Sequence, residues 1–220
     1  MHLFNHTFPT ATQNIAIDEQ LLTAVNQGNY SDGILRLWES ETYFVVLGLS
    51  KKIDLDVNED ECKRDNIPIL KRCSGGGTVL QGPGCFNYGY ILPIDYADEL
   101  KSLTNTTTYI LNKVKDVLLS SISDIELKGI SDLAIKNIKF SGNAQRRLKN
   151  AILFHGTILY DFNLDLITKY LKEPPIQPDY RKNRSHRDFI QNLNITDTQL
   201  IDLFTNSDHF ETLELNDLPS

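Results

Sequence analysis

The chain has 220 residues, 40% apolar and 23% charged, enough to bury a full hydrophobic core in a single domain. Its 22 basic and 29 acidic residues leave a net charge of −7, which argues against nucleic acid as the main partner, because a phosphate backbone calls for a basic face. No apolar run is long enough for a bilayer, and the start "MHLFNHTFPT" lacks the basic residues and apolar stretch of a secretory signal, so no membrane partner is expected.

From the N-terminus, "NIAIDEQLLTAV" sets Ile17, Leu21 and Val25 at helical spacing behind a capping Asn14, which predicts a helix to about Asn26. "ILRLW" and "TYFVVLG" read as two strands joined by a tight connection at Glu39, Ser40 and Glu41. "VNEDECKRDN" is polar and helix-compatible. "IPILKR" reads as a strand feeding three glycines, and "FNYGYIL" as a strand after them. "NTTTYILNKVKDVLL" puts Tyr109, Val114, Val117 and Leu118 on one face of an amphipathic helix. "SDLAIKNIKF" holds two short strands about a Lys-Asn turn, and "NAQRRLKNAILFHGTILY" repeats that plan, so antiparallel pairing is expected. "NLDLITKYL" is a short helix stopped by "EPPIQP", "DTQLIDLF" is a last helix, and the ending "ELNDLPS" reads as loose. Strands alternate with isolated helices without a βαβ rhythm. That predicts an α/β (α+β) fold of mixed, largely antiparallel sheets flanked by helices, in one domain over residues 1–220.

Cys62, Cys73 and Cys85 are odd in number and lack C-x-x-C spacing, which points to a reducing compartment, the cytoplasm, and to no disulfide framework. Two basic islands, "RRLK" at Arg146 to Lys149 and "RKNRSHR" at Arg181 to Arg187, interrupt an acidic chain. They read either as solvated surface or as a face for an anion or acidic partner.

Four stretches carry chemistry. In "KRCSGGGTVL" the glycines lack the lysine of a phosphate-binding P-loop, and Leu80 stands where a dinucleotide fingerprint needs its third glycine. What is left is a glycine turn between strands: either a bulge, or a place where a ligand lies against backbone amides, with Arg72 and Ser74 at its mouth. Lys139 in "IKFSGNAQRRLK" is either a surface lysine or a compact cation able to hold a carboxylate and a phosphate together. His155 in "LFHGTIL" is either a satisfied core residue or a working one, and Asp132 in "GISDLAI" could hold a Mg²⁺ that bridges phosphates.

Taken in order, "RCSGGGTV", "SDLAI", "KFSGNAQRR" and "FHGTIL" resemble the catalytic domain of the lipoate–protein ligases, within the biotin/lipoate ligase family. That family shows R-x-S-G-G-G, N/S-D-L, K-x-S-G-x-A and H-G-T-L-L in the same succession. The likeness runs from "NIAIDEQLL" to "RDFIQNL" near residue 193. It implies a class II aminoacyl-tRNA synthetase-like catalytic fold and a two-step reaction. ATP and lipoate give lipoyl-adenylate and pyrophosphate, and the lipoyl group then passes to a lysine of a carrier domain. The carriers implied are those of 2-oxoacid dehydrogenase complexes or the glycine cleavage H protein, with Mg²⁺ as cofactor. By the same resemblance Lys139 is the catalytic lysine at the lipoyl carboxylate and α-phosphate, and Asp132 the acidic residue near Mg²⁺. Arg72, Ser74, Gly75, Gly76, Gly77 and Val79 line the acyl and adenylate pocket. Gly142 and Ala144 lie beneath the ligand, Arg146 is the substrate-binding arginine that follows them, and His155 and Gly156 lie along the lipoyl pocket.

The chain departs from the family pattern at Gln81 and Gly82, where ligases carry a His-Asp pair, and at Gln145, where many carry an aromatic. The residues after Leu193 are too few for the further C-terminal domain of many bacterial ligases, so a separate accessory subunit is one expectation. An ATP-independent octanoyl or lipoyl transferase on the same fold needs a cysteine nucleophile. None stands at that branch's usual positions, and only Cys73 and Cys85 flank the glycine loop. A non-catalytic lipoyl or adenylate binder is a third reading, supported by the change at Gln81-Gly82.

Overall fold

Apolar residues on both sides of the central strands set the layering, because a strand sends successive side chains to opposite faces of its sheet. The computed structural model describes residues 1–218. In chain order these form β1 (His2–Asn5), α1 (Ala11–Asn26), β2 (Ile34–Glu39), β3 (Phe44–Leu47), α2 (Ile53–Asp56), α3 (Glu59–Arg64), β4 (Ile69–Lys71), β5 (Val79–Gln81) and β6 (Cys85–Pro93). There follow α4 (Leu103–Leu119), β7 (Ile125–Lys128), β8 (Asp132–Ile135), β9 (Ile138–Arg147), β10 (Ala151–Leu159), α5 (Asp165–Tyr170), α6 (His186–Phe189), α7 (Asp197–Thr205) and β11 (Glu211–Thr212). Eight strands make one sheet in the order β11-β1-β2-β6-β10-β9-β8-β7, and β4-β3-β5 make a second. Pairing is parallel at β1–β11, β1–β2 and β3–β4 and antiparallel elsewhere, so the mixed, largely antiparallel fold read from the sequence is what forms. Among the described residues no helix is long and apolar enough to cross a membrane.

Leu35, Leu37, Tyr88, Tyr90, Ile152 and Phe154 face one side of the large sheet, beneath Ile110 and Val114 of α4 and Leu200 and Phe204 of α7. Ile34, Ile91, Ala151 and Leu153 face the other, beneath Ile17, Leu21, Leu22 and Val25 of α1. The Lys136-Asn137 turn forms as expected, with φ of +51° and +60°, the doubly left-handed geometry that matches strand twist in a tight hairpin.

Three local expectations change and one gains a partner layer. Helix α1 starts earlier, capped by Thr10 in a reciprocal box with Gln13, and Asn14 is buried inside it. The tight connection after β2 forms, and because β2 and β3 belong to different sheets it carries the chain between layers. On α4, Ile110 and Leu111 are buried with Val114 and Leu118, while Tyr109 and Val117 sit at the margin. The ending is docked, with one helical turn at Leu215–Asp217 and the Tyr30 hydroxyl donating to the Asp217 carbonyl at 3.0 Å. Pro219 and Ser220 lie outside the described residues.

Arg36 lies on the α1 side of β2 at 0% exposure. Its guanidinium donates to the Asn14 carbonyl (2.8 Å), to Asn14 Oδ1 (3.1 Å) and to the Asp18 carboxylate, and stacks 4.8 Å from the Trp38 ring. Asn14 and Asp18 are one helical turn apart, so both reach the same cation. Burial pulls the Arg36 pKa below its ordinary value, and the Asp18 charge works against that shift. Removing the counter-charge is therefore expected to be costly: Asp18→Ala should lower the unfolding free energy by ~3–5 kcal/mol in a urea titration. A loss under ~1 kcal/mol would mean that the pair does not hold α1 on the sheet.

Candidate active site

The glycine loop leaves β4 and returns as β5, and a cation braces it from within. The sequence places Arg72 at the mouth; instead it is buried, at 8% exposure. Its Nη2 donates to the carbonyls of Gly75 (2.6 Å) and Gly77 (2.8 Å), its Nε to Ser74 Oγ (3.0 Å) and its Nη1 to the Val46 carbonyl (3.4 Å). Burial draws its pKa down to about 10, which leaves it charged at neutral pH. The three glycines divide their work. Gly76 has φ +85°, and a Cβ there would lie 3.0 Å from Arg72 Nη2 and 3.3 Å from Ala144 Cβ, so turn and packing both require glycine. At Gly75 and Gly77 an added Cβ would meet nothing within 4 Å, so these two border open space.

Ser74 ties the loop to the large sheet: its Oγ lies 2.6 Å from His155 Nε2. Oγ accepts from Arg72 Nε as well, so one hydroxyl joins the buried guanidinium to the imidazole. Burial depresses the His155 pKa to about 4; Asp18 opposes that shift, and the Arg72 and Arg36 charges add to it.

The floor comes from β9. Between β8 and β9 the register slips, with Leu133 opposite Ser141 but Ala134 opposite Lys139, so Phe140 is bulged. Strict alternation would put Lys139 and Gly142 on opposite faces; the bulge reunites them. A Cβ on Gly142 would sit 2.7 Å from Lys139 Nζ, so the missing side chain is the space that the ammonium occupies. Ala144 shares that face and pairs with His155 in register. Lys139 Nζ lies 2.7 Å from Asp132 Oδ1, and Tyr180 donates to Asp132 Oδ2 at 2.7 Å. Both oxygens of Asp132 are thus engaged within the chain, and among the described residues no group of three or more His, Cys, Asp or Glu gathers around it, so Asp132 is a single carboxylate of the kind that holds Mg²⁺ together with phosphates.

The other expected site residues scatter. Val79 starts β5 opposite Val46 and packs by Trp38 and Phe44. Arg146 is exposed at the far end of β9, on the Gly142 and Ala144 face by alternation. Gly156 faces the opposite side from His155: a Cβ there would fall 1.7 Å from Asn143 Oδ1, the atom that accepts from the Tyr88 hydroxyl. The residues that depart from the family pattern serve the interior. Gln81 is buried and donates to Asn87 Oδ1 (2.8 Å), a Cβ at Gly82 would meet the Tyr43 ring at 2.2 Å, and Gln145 donates to Thr107 of α4 (2.8 Å).

The island Arg181 to Arg187 divides between surface and interior: Lys182 and Arg187 are exposed, the latter 3.3 Å from Asp165. Arg181 is buried against Glu173, Arg184 donates to the carbonyls of Asn137 (2.7 Å) and Tyr180 (2.9 Å), and His186 is buried. Burial, with the Asp18 and Glu19 charges, pushes the Cys73 thiol up to about 11; burial and Glu39 raise Cys85 as well. Neither is a thiolate at neutral pH. Sequence reasoning missed Arg36 with Asp18, Asn143 with Tyr88, and Tyr180. A lone arginine inside "ILRLW" and an aspartate on the apolar face of α1 could have signalled the first pair; nothing local marks the others.

This two-sheet α/β domain has the architecture of the lipoate ligase catalytic domains. The chain superposes on a crystal structure of lipoate-protein ligase A bound with ATP at a TM-score of 0.81 and 20% identity, covering 98% of this chain and 90% of that one. It also superposes on a structure of a bi-partite lipoate protein ligase of Thermoplasma acidophilum at 0.79 and 22%, covering 98% and 88%. Residues 10–203 match the lipoyl protein ligase A/B catalytic domain, and the chain belongs to that family. Relatives include the probable lipoate-protein ligase A of Mycoplasma pneumoniae, 27% identical over 93% of this chain and 61% of that protein, and that of Mycoplasma genitalium, 30% identical over 72% and 45%. Octanoyltransferase LipM of Clostridioides difficile is 29% identical over 72% and 65%. The chain thus spans between 45% and 65% of the length of these curated relatives.

The depressed His155 pKa has a measurable consequence. Unfolded, this histidine takes its proton near 6.5; folded, only near 4. Stability is therefore expected to fall as pH drops through that window, by on the order of 2 kcal/mol at pH 5 from this group. Comparing His155→Gln with the parent by urea unfolding at pH 7 and pH 5 isolates the contribution; equal losses in both would refute it.

Proposed function

We propose that this chain is a lipoate–protein ligase that activates lipoate with ATP and transfers the lipoyl group to a lysine of a lipoyl carrier domain, in a 2-oxoacid dehydrogenase complex or the glycine cleavage H protein. The observation that carries this reading is the Lys139 ammonium, seated over Gly142 and 2.7 Å from Asp132 on the floor beneath the glycine loop. One N–H goes to Asp132, and two remain for ligand oxygens. In the first step a lipoate carboxylate oxygen attacks the α-phosphorus of ATP, and the bond to the bridging oxygen breaks to release pyrophosphate. Lys139 neutralises charge on the attacking carboxylate and on the phosphoryl oxygens. In the second step the acceptor amine attacks the acyl carbon, AMP departs with the C–O bonding pair, and the amine proton passes to solvent. Lys139 then offsets charge on the departing phosphate. Gly75 and Gly77 leave their backbone open to the ligand, Arg72 and Ser74 hold the loop in shape, and His155, neutral at pH 7, keys the loop to β10 through Ser74. Any Mg²⁺ would be carried by the nucleotide's phosphates.

The likeness to LipM favours a second reading, acyl transfer through a cysteine without ATP. A thiol with its pKa at about 11 is a poor nucleophile at neutral pH, which weighs for the ATP route. Pyrophosphate release is expected to require both ATP and lipoate and to fall at least about 100-fold in Lys139→Ala. Release insensitive to that change would remove Lys139 from the mechanism. Octanoyl transfer from a carrier thioester without ATP, lost in Cys73→Ser, would replace the ligase reading with the transferase.

A further inference from the structure

The segment from Glu173 to Gln191 is a strap across the end of β8 and β9, and its contacts converge on Lys139. Gln191 N–H donates to the Lys139 carbonyl at 2.9 Å, and Ile190 forms a parallel bridge with Lys139. Arg184 clamps the strap to the hairpin turn just before Lys139, through the Asn137 carbonyl at 2.7 Å. The same guanidinium group donates to the Tyr180 carbonyl at 2.9 Å. The Phe189 ring lies 5.0 Å from that of Tyr180, with the Arg181 and Arg184 guanidinium groups over it at 4.8 and 5.3 Å. Gly129, at φ +56°, lets the strap descend: a Cβ there would come within 3.3 Å of both Pro178 and Tyr180.

All of this aims one hydroxyl at one oxygen. We infer that Tyr180 is a positioning residue for the reacting lysine: by taking Asp132 Oδ2, it fixes the carboxylate so that Oδ1 holds the Lys139 ammonium over Gly142. A carboxylate on a single short stem has two χ rotors, and one ion pair does not fix both. A second hydrogen bond, at right distance on the other oxygen, does. Burial and the Asp132 charge both raise the Tyr180 pKa, so the hydroxyl stays protonated and remains a donor. An ammonium displaced by even an ångström from two reacting oxygens loses much of its effect on the transition state.

As a catalytic statement this rests on the ligase reading, and the test separates the two. Full-length protein is treated with an amine-acetylating N-hydroxysuccinimide ester, and the acetylation rate at each lysine is read by peptide mass spectrometry with Lys113 as internal reference. Tyr180→Phe keeps the ring and removes the hydroxyl, and its melting temperature is measured alongside. Lys139 should acetylate about threefold faster in Tyr180→Phe and at least as fast in Asp132→Asn, with no further gain in the double variant, because both changes act through one pair. In the adenylation assay, Tyr180→Phe should lower kcat about tenfold with KM for ATP and lipoate within about twofold, and the loss should vanish in the Asp132→Asn background. Unchanged Lys139 labelling in Tyr180→Phe, or losses that add in the double variant, would overturn the inference. A parent protein that labels as expected but forms no adenylate would sink the ligase reading and leave the role of Tyr180 as the holder of Asp132 standing.

Discussion

A guanidinium that meets backbone carbonyls instead of a carboxylate gives this site its form. Three consecutive glycines would each forfeit about 1–2 kcal/mol of backbone freedom on ordering, with no side chains to pack in return. Arg72 offsets that by gathering the Gly75 and Gly77 carbonyls around one buried cation. Through Ser74 the same cation reaches His155, so the loop of the small sheet is keyed to a strand of the large one. The loop also rests on β9, where Gly76 closes on Ala144 and the Lys139 ammonium takes the space over Gly142.

The pair Gln81-Gly82 illustrates how a family departure becomes part of the fold. Tyr43 fills the space where a side chain at position 82 would project, and Gln81 turns inward to Asn87. The change is thus coupled to the interior on both sides. It leaves the Lys139–Asp132 pair and the Arg72 brace in place, and these are the parts that the proposed chemistry uses.

Much of the fold was legible in the sequence because local rules and tertiary structure agree there. The Lys136-Asn137 turn needs two residues tolerant of positive φ, and the amphipathic pattern of α4 has one sheet face to cover. Of the glycine, Asp132, Lys139 and His155 motifs, Lys139 meets Asp132 over Gly142, Gly76 meets Ala144, and Ser74 meets His155. What escaped was set by distant partners. The turn after β2 is tight as expected, but nothing local says that β2 and β3 enter different sheets, with Phe44 and Val46 packing on Trp38. Arg72 and Arg181 count as charges in the sequence, whereas their surroundings make them internal braces. Tyr180 meets Asp132 across 48 residues of chain, and no spacing rule anticipates that.

The bulge at Phe140 bears on any attempt to transplant this chemistry. The interval from Lys139 to Gly142 is an odd number of steps, so on a regular strand the cation and the vacancy it fills would stand back to back. Copying the residues into a flat sheet of another protein would reproduce the motif and lose the arrangement. A host must also carry the extra residue, and with it the kink that turns two faces into one.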